Sequence, residues 1–328
     1  MRDMLIDWLA RFDAVARPGP WPYPRVHHHE GGGHPFHLVI GSMVHGDEVG
    51  SLPAVVRVIE ELVTGQRLHA GTVSFFVGNP EAGLQGQRFL EDDLNRVFMD
   101  DPPASHEGRR GALLRPLLDA ADVFLDLHQT IEPTQHAFYI FPFQTHGWHW
   151  ARALASTSMW VTRHPGTAFT TGAKCADEYV RDRGLPGITL ELSQKGFGNG
   201  GEERAYQAIT RALELSDAVA AGTTTLEEAA MDRPELTFLE TVHREPFASE
   251  DLALRPGLQN FQEVAEGEVL SAPGTPELRA PCGGWVLFPK YPPRVEGGGY
   301  KKPLPGEIYR IVRAMGGHPV EVFAGADR

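Results

Sequence analysis

Gly41-Ser42-Met43-Val44-His45-Gly46-Asp47-Glu48 follows the apolar run Phe36-His37-Leu38-Val39-Ile40 and precedes a helical pattern that begins near Ser51. A short apolar run bounded by turn residues reads as a buried strand. The stretch is therefore a strand-to-helix corner, with His45 and Glu48 in one loop. An imidazole and a carboxylate at such a corner can share one metal ion. Zinc in a hydrolase takes three protein ligands of this kind and keeps one position for water. By itself the pair is more often an accident of a helix start. It matters only if the chain also supplies a third ligand, a base and a substrate clamp.

Outward from the corner, strands and helices alternate. Ser51 to Val63 has Leu52, Val55, Val56, Ile59, Leu62 and Val63 at helical spacing, with Pro53 in its first turn and Gly65 after its end. Thr72–Val77 is a strand closed by Gly78-Asn79-Pro80, and Gly108 to Ala121 a helix. Val123-Phe124-Leu125-Asp126-Leu127 is a strand ending at His128, and Ala137 to Phe141 another. Trp148 to Trp160 and Cys175 to Gly184 read as helices. Gly187 to Leu192 is a buried strand containing Glu191, and Glu202 to Ala221 a long helix. This alternation predicts an α/β fold, a mainly parallel or mixed central sheet with helices on both faces. Ligands bind such sheets beyond the carboxyl ends of the strands, where His45, His128 and Glu191 all fall.

The composition changes after Gly222. Short β-like runs (Thr237 to His243, Glu268 to Leu270, Gly284 to Phe288) are separated by Pro256-Gly257, Pro273-Gly274 and Gly283-Gly284. The expected division is a catalytic domain over 1–222 and a small, barrel-like all-β domain over 223–328. Its paired hairpins resemble those of biotinyl and lipoyl domains, but no Met-Lys-Met-like attachment tip is present. At the other end, Leu5, Trp8, Leu9 and Phe12 share one face of an amphipathic helix over Met1 to Ala16. His27-His28-His29 reads as solvated or strand-edge, because neighbours on an extended chain point to alternate sides.

The chain has 328 residues and a formal charge of −13, against general binding to nucleic acid or an anionic membrane. An anionic substrate would need locally clustered arginines. Two distant cysteines, Cys175 and Cys282, argue against a disulfide framework. The first helix carries Asp3, Asp7, Arg11 and Asp13, unlike a signal peptide. No run approaches the ~18 apolar residues needed to span a bilayer. A cytoplasmic protein is expected, and a homo-oligomer is compatible with the sequence.

Read singly, His128 is as well explained as a core histidine. Glu191, in a buried strand, must be paired or ligated. Asp93-Leu94-Asn95-Arg96 reads structurally as a polar helix terminus, yet Asn beside Arg offers a fork and a neutral donor to a carboxylate. Arg88 can face the same space and stabilise an oxyanion.

Jointly, these blocks resemble the succinylglutamate desuccinylase/aspartoacylase family, zinc hydrolases with a carboxypeptidase A-like fold. The resemblance rests on Gly41 to Glu48, Gly78-Asn79-Pro80, Arg88 with Leu90 to Arg96, Asp126-Leu127-His128 and Thr189-Leu190-Glu191-Leu192, over roughly residues 36 to 210. It implies one zinc per chain held by His45, Glu48 and His128. Glu191 would be general base and acid, Arg88 would polarise the scissile carbonyl, and Asn95 with Arg96 would hold the substrate carboxylate. It further suggests Arg181, ten residues before Glu191, as a substrate-binding arginine, and a C-terminal tyrosine, Tyr300 or else Tyr291. The implied reaction is hydrolysis of the amide of a small anionic N-acyl amino acid, N-succinylglutamate-like or N-acylaspartate-like. A metallocarboxypeptidase acting on short peptides is the alternative on the same fold. A non-catalytic binding protein is a third, opposed by the full set of ligands and base. Desuccinylases commonly continue the Asp-Leu-His block with Thr-Ala-Ile-Arg; here Gln129-Thr130-Ile131-Glu132 puts an anion where a cation is expected. The acyl group stays unassigned.

Overall fold

The computed structural model describes residues 1–294, 300 and 304–323. Its elements run α1 (Arg2–Val15), β1 (Val26–Glu30), β2 (His37–Ser42), α2 (Leu52–Thr64), β3 (Thr72–Val77), α3 (Pro80–Leu84), α4 (His106–Asp119), β4 (Val123–Thr130), β5 (Phe138–Ile140), α5 (Thr145–Leu154), β6 (Met159–Thr162), α6 (Ala176–Arg181), β7 (Gly187–Gln194), α7 (Gly201–Ala220), α8 (Leu226–Met231), β8 (Thr237–Pro246), β9 (Glu263–Val264), β10 (Gly284–Leu287), β11 (Glu307–Ala314) and α9 (Pro319–Val322), with 3-10 turns at Val49–Ser51 and Leu94–Arg96.

Strand alternation sorts the apolar side chains into two layers. Leu38, Ile40, Phe75, Leu125 and Leu190 face a core shared with α1, α2, α5 and α7. Val39, Phe76 and Phe124 face the other way, against Leu114, Leu117 and Leu118 of α4 and Ala176 and Val180 of α6. Helices therefore cover both faces. The strands form one sheet of order β1-β3-β2-β4-β7-β5-β6-β8-β11-β10-β9. β3, β2, β4 and β7 are mutually parallel, as expected for strands joined through helices. β5 runs antiparallel to β7, so the sheet is mixed. No helix among the described residues is long and apolar enough to cross a membrane.

The C-terminal strands continue the sheet. β8 pairs in parallel with β6, from Met159↔Thr237 to Thr162↔Glu240, and β11, β10 and β9 follow antiparallel. One apolar cluster, with Leu254, Leu270, Val286 and Ile311, draws only on this part. Another joins Phe138, Ile140 and Val161 to Leu239, Leu287 and Val312.

Three readings of the sequence need correction. The helix expected over Trp148 to Trp160 is α5, and it stops at Ala155, which adopts φ +50°. Trp160 instead lies in β6, fully buried, where a large aromatic fills the gap between β5 and β8. The hairpin expected around Glu268 to Leu270 is held by Ala280 N→Glu268 O (2.9 Å) and Leu270 N→Leu278 O (2.8 Å), with one isolated bridge rather than a strand. The histidine triplet does lie on an edge strand, β1, but His27 is not solvated. It is fully buried beside Phe75.

Candidate metal centre and its cavity

The corner after β2 is tightly built. Met43 takes φ +54°, a turn that L-residues adopt only under constraint. The constraint is visible: Gly78 N donates to Ser42 O (2.8 Å) and Asn79 N to Met43 O (2.7 Å). Gly46 N donates to Arg88 O at 2.8 Å, and a Cβ on Gly46 would lie 2.4 Å from Gly83 N. Only glycine fits there, and the loop is pressed against the segment that carries Arg88.

Three ligand-type atoms meet at the end of this corner. His45 Nδ1 lies 2.7 Å from Glu48 Oε1. His128 Nδ1 lies 2.9 Å from Glu48 Oε2 and 3.1 Å from His45 Nδ1. All three residues are buried and form a cluster that could hold a metal ion. Ligands placed tetrahedrally around zinc at ~2.0–2.2 Å are roughly 3.3 Å apart, close to these spacings. The far ring nitrogens face carboxylates: His45 Nε2 is 3.1 Å from Asp93 Oδ1, and His128 Nε2 is 2.9 Å from Asp126 Oδ2. Asp126 beside His128 Nε2 favours the tautomer that leaves Nδ1 free to ligate, while His45 Nε2 is also met by Arg88 Nη2 at 2.5 Å, which can only donate. The donor set and its backing both fit a divalent ion.

The electrostatics agree. Burial alone would raise the Glu48 carboxyl, but His45 and His128 beside it hold it well below the usual range. Burial would likewise lower the His128 imidazole, and Asp126 and Glu48 outweigh it, pushing the group well above its ordinary value. Glu48 also accepts from Gln129 N at 2.9 Å and Arg88 Nη1 at 3.1 Å.

Glu191 arrives by register. His128 and Glu191 are direct partners across the parallel β4–β7 pair, so both side chains leave the sheet on one face. Glu191 Oε2 is buried without a hydrogen-bond partner. Burial, followed by the charge of Glu48, pushes its carboxyl up to about 7.

The Arg88 to Arg96 segment is moulded by a residue whose part the sequence did not disclose. Glu107, at the start of α4, is fully buried and accepts from Leu90 N (2.7 Å), Glu91 N (3.1 Å), Asp92 N (3.1 Å) and Asn79 Nδ2 (2.9 Å). Asp93 was legible only as a polar terminus. It accepts from Asn95 N (2.9 Å) and Arg88 Nε (3.2 Å), linking clamp, arginine and His45. Burial opposes its ionisation, but Arg88 and then His45 hold it well below the usual range. Asn95 Oδ1 accepts from Ala176 N at 2.8 Å. Arg96 Nη1 donates to Asn95 O (2.6 Å) and Cys175 Sγ (3.2 Å).

His45, Glu48, Arg88, Asn95, Arg96, His128 and Glu191 all line one cavity of about 960 Å³. The lining is completed by Arg163 and Phe169 and by C-terminal residues including Lys290, Tyr291, Glu307 and Arg310. Glu132 lines it too, its carboxyl raised by burial against the pull of Lys195. Two expected residues are not brought to this cavity. Arg181 packs behind the wall, donating to Asp177 Oδ2 (2.5 Å) and Gly187 O (2.7 Å). Tyr300 donates to Leu252 O at 2.9 Å and lines a separate, smaller recess; its neighbours Gly299, Lys301 and Lys302 lie outside the described residues. Tyr291 does reach the cavity, its hydroxyl donating to Arg255 O at 2.7 Å.

A sequence model of the Succinylglutamate desuccinylase/Aspartoacylase catalytic domain matches residues 37–219. The succinylglutamate desuccinylase of Pseudomonas paraeruginosa is 27% identical over 292 residues, covering 80% of this chain and 81% of its own. That of Serratia proteamaculans is 27% identical over 273 residues, covering 77% and 79%. Among solved structures, a succinylglutamate desuccinylase/aspartoacylase from Rhodobacter sphaeroides superposes with a TM-score of 0.65 at 18% identity, covering 88% of each chain. The succinylglutamate desuccinylase from Chromobacterium violaceum gives 0.64 at 18% identity, covering 94% of this chain and 98% of its own. At such identities the structural likeness speaks for the fold.

Proposed function

The chain belongs to the succinylglutamate desuccinylase/aspartoacylase family, and on that premise we propose that it is a zinc-dependent hydrolase cleaving the amide bond of a small, anionic N-acyl amino acid. His45, Glu48 and His128 hold one ion per chain. Zinc bound there would lower the pKa of a water to about 7 and polarise a carbonyl. Glu191 takes the proton of the attacking water and returns it to the amine nitrogen as the C–N bond breaks. Arg88 donates to the carbonyl oxygen as negative charge builds on it. Asn95 and Arg96 hold the substrate carboxylate and so fix the amide against Glu191.

The observation that carries this reading is the placement of Glu191. Its buried, unpartnered carboxyl oxygen shares a cavity with the convergent His45, Glu48 and His128. A carboxyl raised to about 7 is suited to accepting and returning a proton near neutrality.

The test is a hydrolysis screen of the zinc-loaded protein against N-succinyl, N-acetyl and N-acylaspartyl amino acids, read as free amine released. Turnover of at least one is expected. Release from short peptides alone would replace this reading with the peptidase.

A further inference from the structure

Asp177 settles which arginine is left free near the cavity. Its Oδ2 accepts from Arg181 Nη1 at 2.5 Å and from Thr189 Oγ1 at 2.7 Å, and its Oδ1 from Glu178 N at 2.8 Å. With Gly187 O as a second acceptor, Arg181 Nη1 is tied to the segment behind the cavity, and Arg181 does not line it. Arg163, which follows β6, is in the opposite state. It lines the cavity and its Nε donates to Thr167 O at 2.8 Å. Among the described residues no carboxylate lies within 4.0 Å of its guanidinium. Arg96 is in the same condition, with only Asn95 O and Cys175 Sγ as hydrogen-bond partners.

Phe169 brings these two cations to one place. The guanidinium carbon of Arg96 lies 4.8 Å from its ring centre, that of Arg163 5.5 Å and that of Arg310 5.2 Å. Arg310 has its counter-charge, Glu307 Oε1 at 2.6 Å from Nε. Among the described residues Arg96 and Arg163 have none within 4.0 Å. Stacking on a phenyl face fixes the plane of a guanidinium and leaves its edge donors available. Burial, with the charge of Arg181 behind it, pushes the Arg163 guanidinium down to about 10 against the weaker pull of Asp177.

We infer that Arg163 and Arg96 form a two-arginine subsite for an acidic amino-acid half of the substrate, Arg96 taking the α-carboxylate and Arg163 the side-chain carboxylate. Arg163 thereby fills the place that family resemblance assigns to Arg181. The inference deepens the hydrolase reading and rests on it for the order of the substrate's groups. A planar two-point fork matches a carboxylate, and a neutral amide of the same shape leaves half its donors unmatched.

The experiment compares N-acyl-L-glutamate with N-acyl-L-glutamine, nearly isosteric and differing in one charge. In Arg163→Gln, kcat/KM for the glutamate substrate falls about 10- to 100-fold, while that for the glutamine substrate stays within about threefold. Arg181→Gln changes both substrates alike. Equal losses on both substrates in Arg163→Gln, no loss, or a selective loss in Arg181→Gln instead, would overturn the assignment. A second arm needs no turnover: L-glutamate raises the melting midpoint of the wild type more than L-glutamine does, and Arg163→Gln removes the difference. If no N-acyl amino acid is hydrolysed, the hydrolase reading fails, and this binding arm still decides the subsite. A glutamate shift retained in the variant, or absent from the wild type, counts against it.

Discussion

Two parts of the cavity lining are built on opposite principles. Around His45, Glu48 and Arg88, and in Glu107 behind them, the side chains are held by several partners each. Glu107 collects three backbone N–H groups and an amide, and Gln129 ties Gly50 N (2.7 Å) to Ser193 Oγ (3.0 Å) and Gly196 O (3.1 Å). Elsewhere in the lining, Arg163 donates to Thr167 O and, among the described residues, has no carboxylate within 4.0 Å. Groups that must hold a fixed geometry during bond breaking are over-determined by their surroundings. Groups that recognise a ligand keep donors unspent until it arrives.

The sharpest way to break this contrast is to remove Glu191, whose Oε2 is buried in this region without a hydrogen-bond partner. Glu191→Ala should lower kcat by about 10³-fold or more while the protein still binds one zinc, read by steady-state rates and metal analysis. Full activity in that variant would remove Glu191 from the chemistry. Next comes the ion. Chelation, or His128→Ala, should abolish turnover and lower the melting midpoint, because a site that binds only in the folded state stabilises it. An unchanged midpoint on zinc removal would show the braced wall to be complete without it.

Glu107→Ala probes the bracing alone. It leaves four donors, one buried and three part-buried, without their acceptor, so a loss of roughly 2 kcal/mol in urea unfolding is expected, with a fall in kcat/KM as Arg88 and Asn95 lose their fixed positions. Loss of stability with unchanged kinetics would separate Glu107 from the site.

The smallest effect concerns the sheet edge beneath this wall. Burial, with the charge of His29 next, pushes the His27 imidazole down to about 4. Its Nδ1 accepts from Arg17 N at 3.1 Å, so the folded state holds it neutral. The unfolded chain takes up the proton from about pH 6.5 downward. The contribution is therefore intact above pH 6.5 and is lost as pH falls toward 4, by at most roughly 3 kcal/mol. His27→Leu should flatten the stability profile across that window in urea titrations; an unchanged slope would mean that His27 is already hydrated.

The central strands and the metal corner were legible because they depend on neighbours in sequence. An apolar run, a glycine-containing turn and a helix start put His45 and Glu48 in one loop, whose final shape the contacts from Gly78, Asn79 and Arg88 then fix. Glu191 was legible because a carboxylate in an apolar strand demands an explanation. β11 was missed although Ile308, Tyr309, Ile311 and Val312 have high strand propensity, since only the fold pairs its two edges with β8 and β10 and buries these four side chains. Trp160 carried no local mark that separates a buried strand from a helix, and its neighbours β5 and β8 decided it.

The sequence by itself thus determined which residue types could meet a metal ion and which strand ends would offer them. Tertiary structure decided what pairwise competition decides: Asp177 takes Arg181 rather than Arg163, Glu107 moulds the Arg88 loop, and Tyr300 turns to Leu252 while Tyr291 faces the cavity. Such outcomes depend on which of several like groups lies nearest a given partner. That distance is set by the packing of remote segments, and no local spacing encodes it.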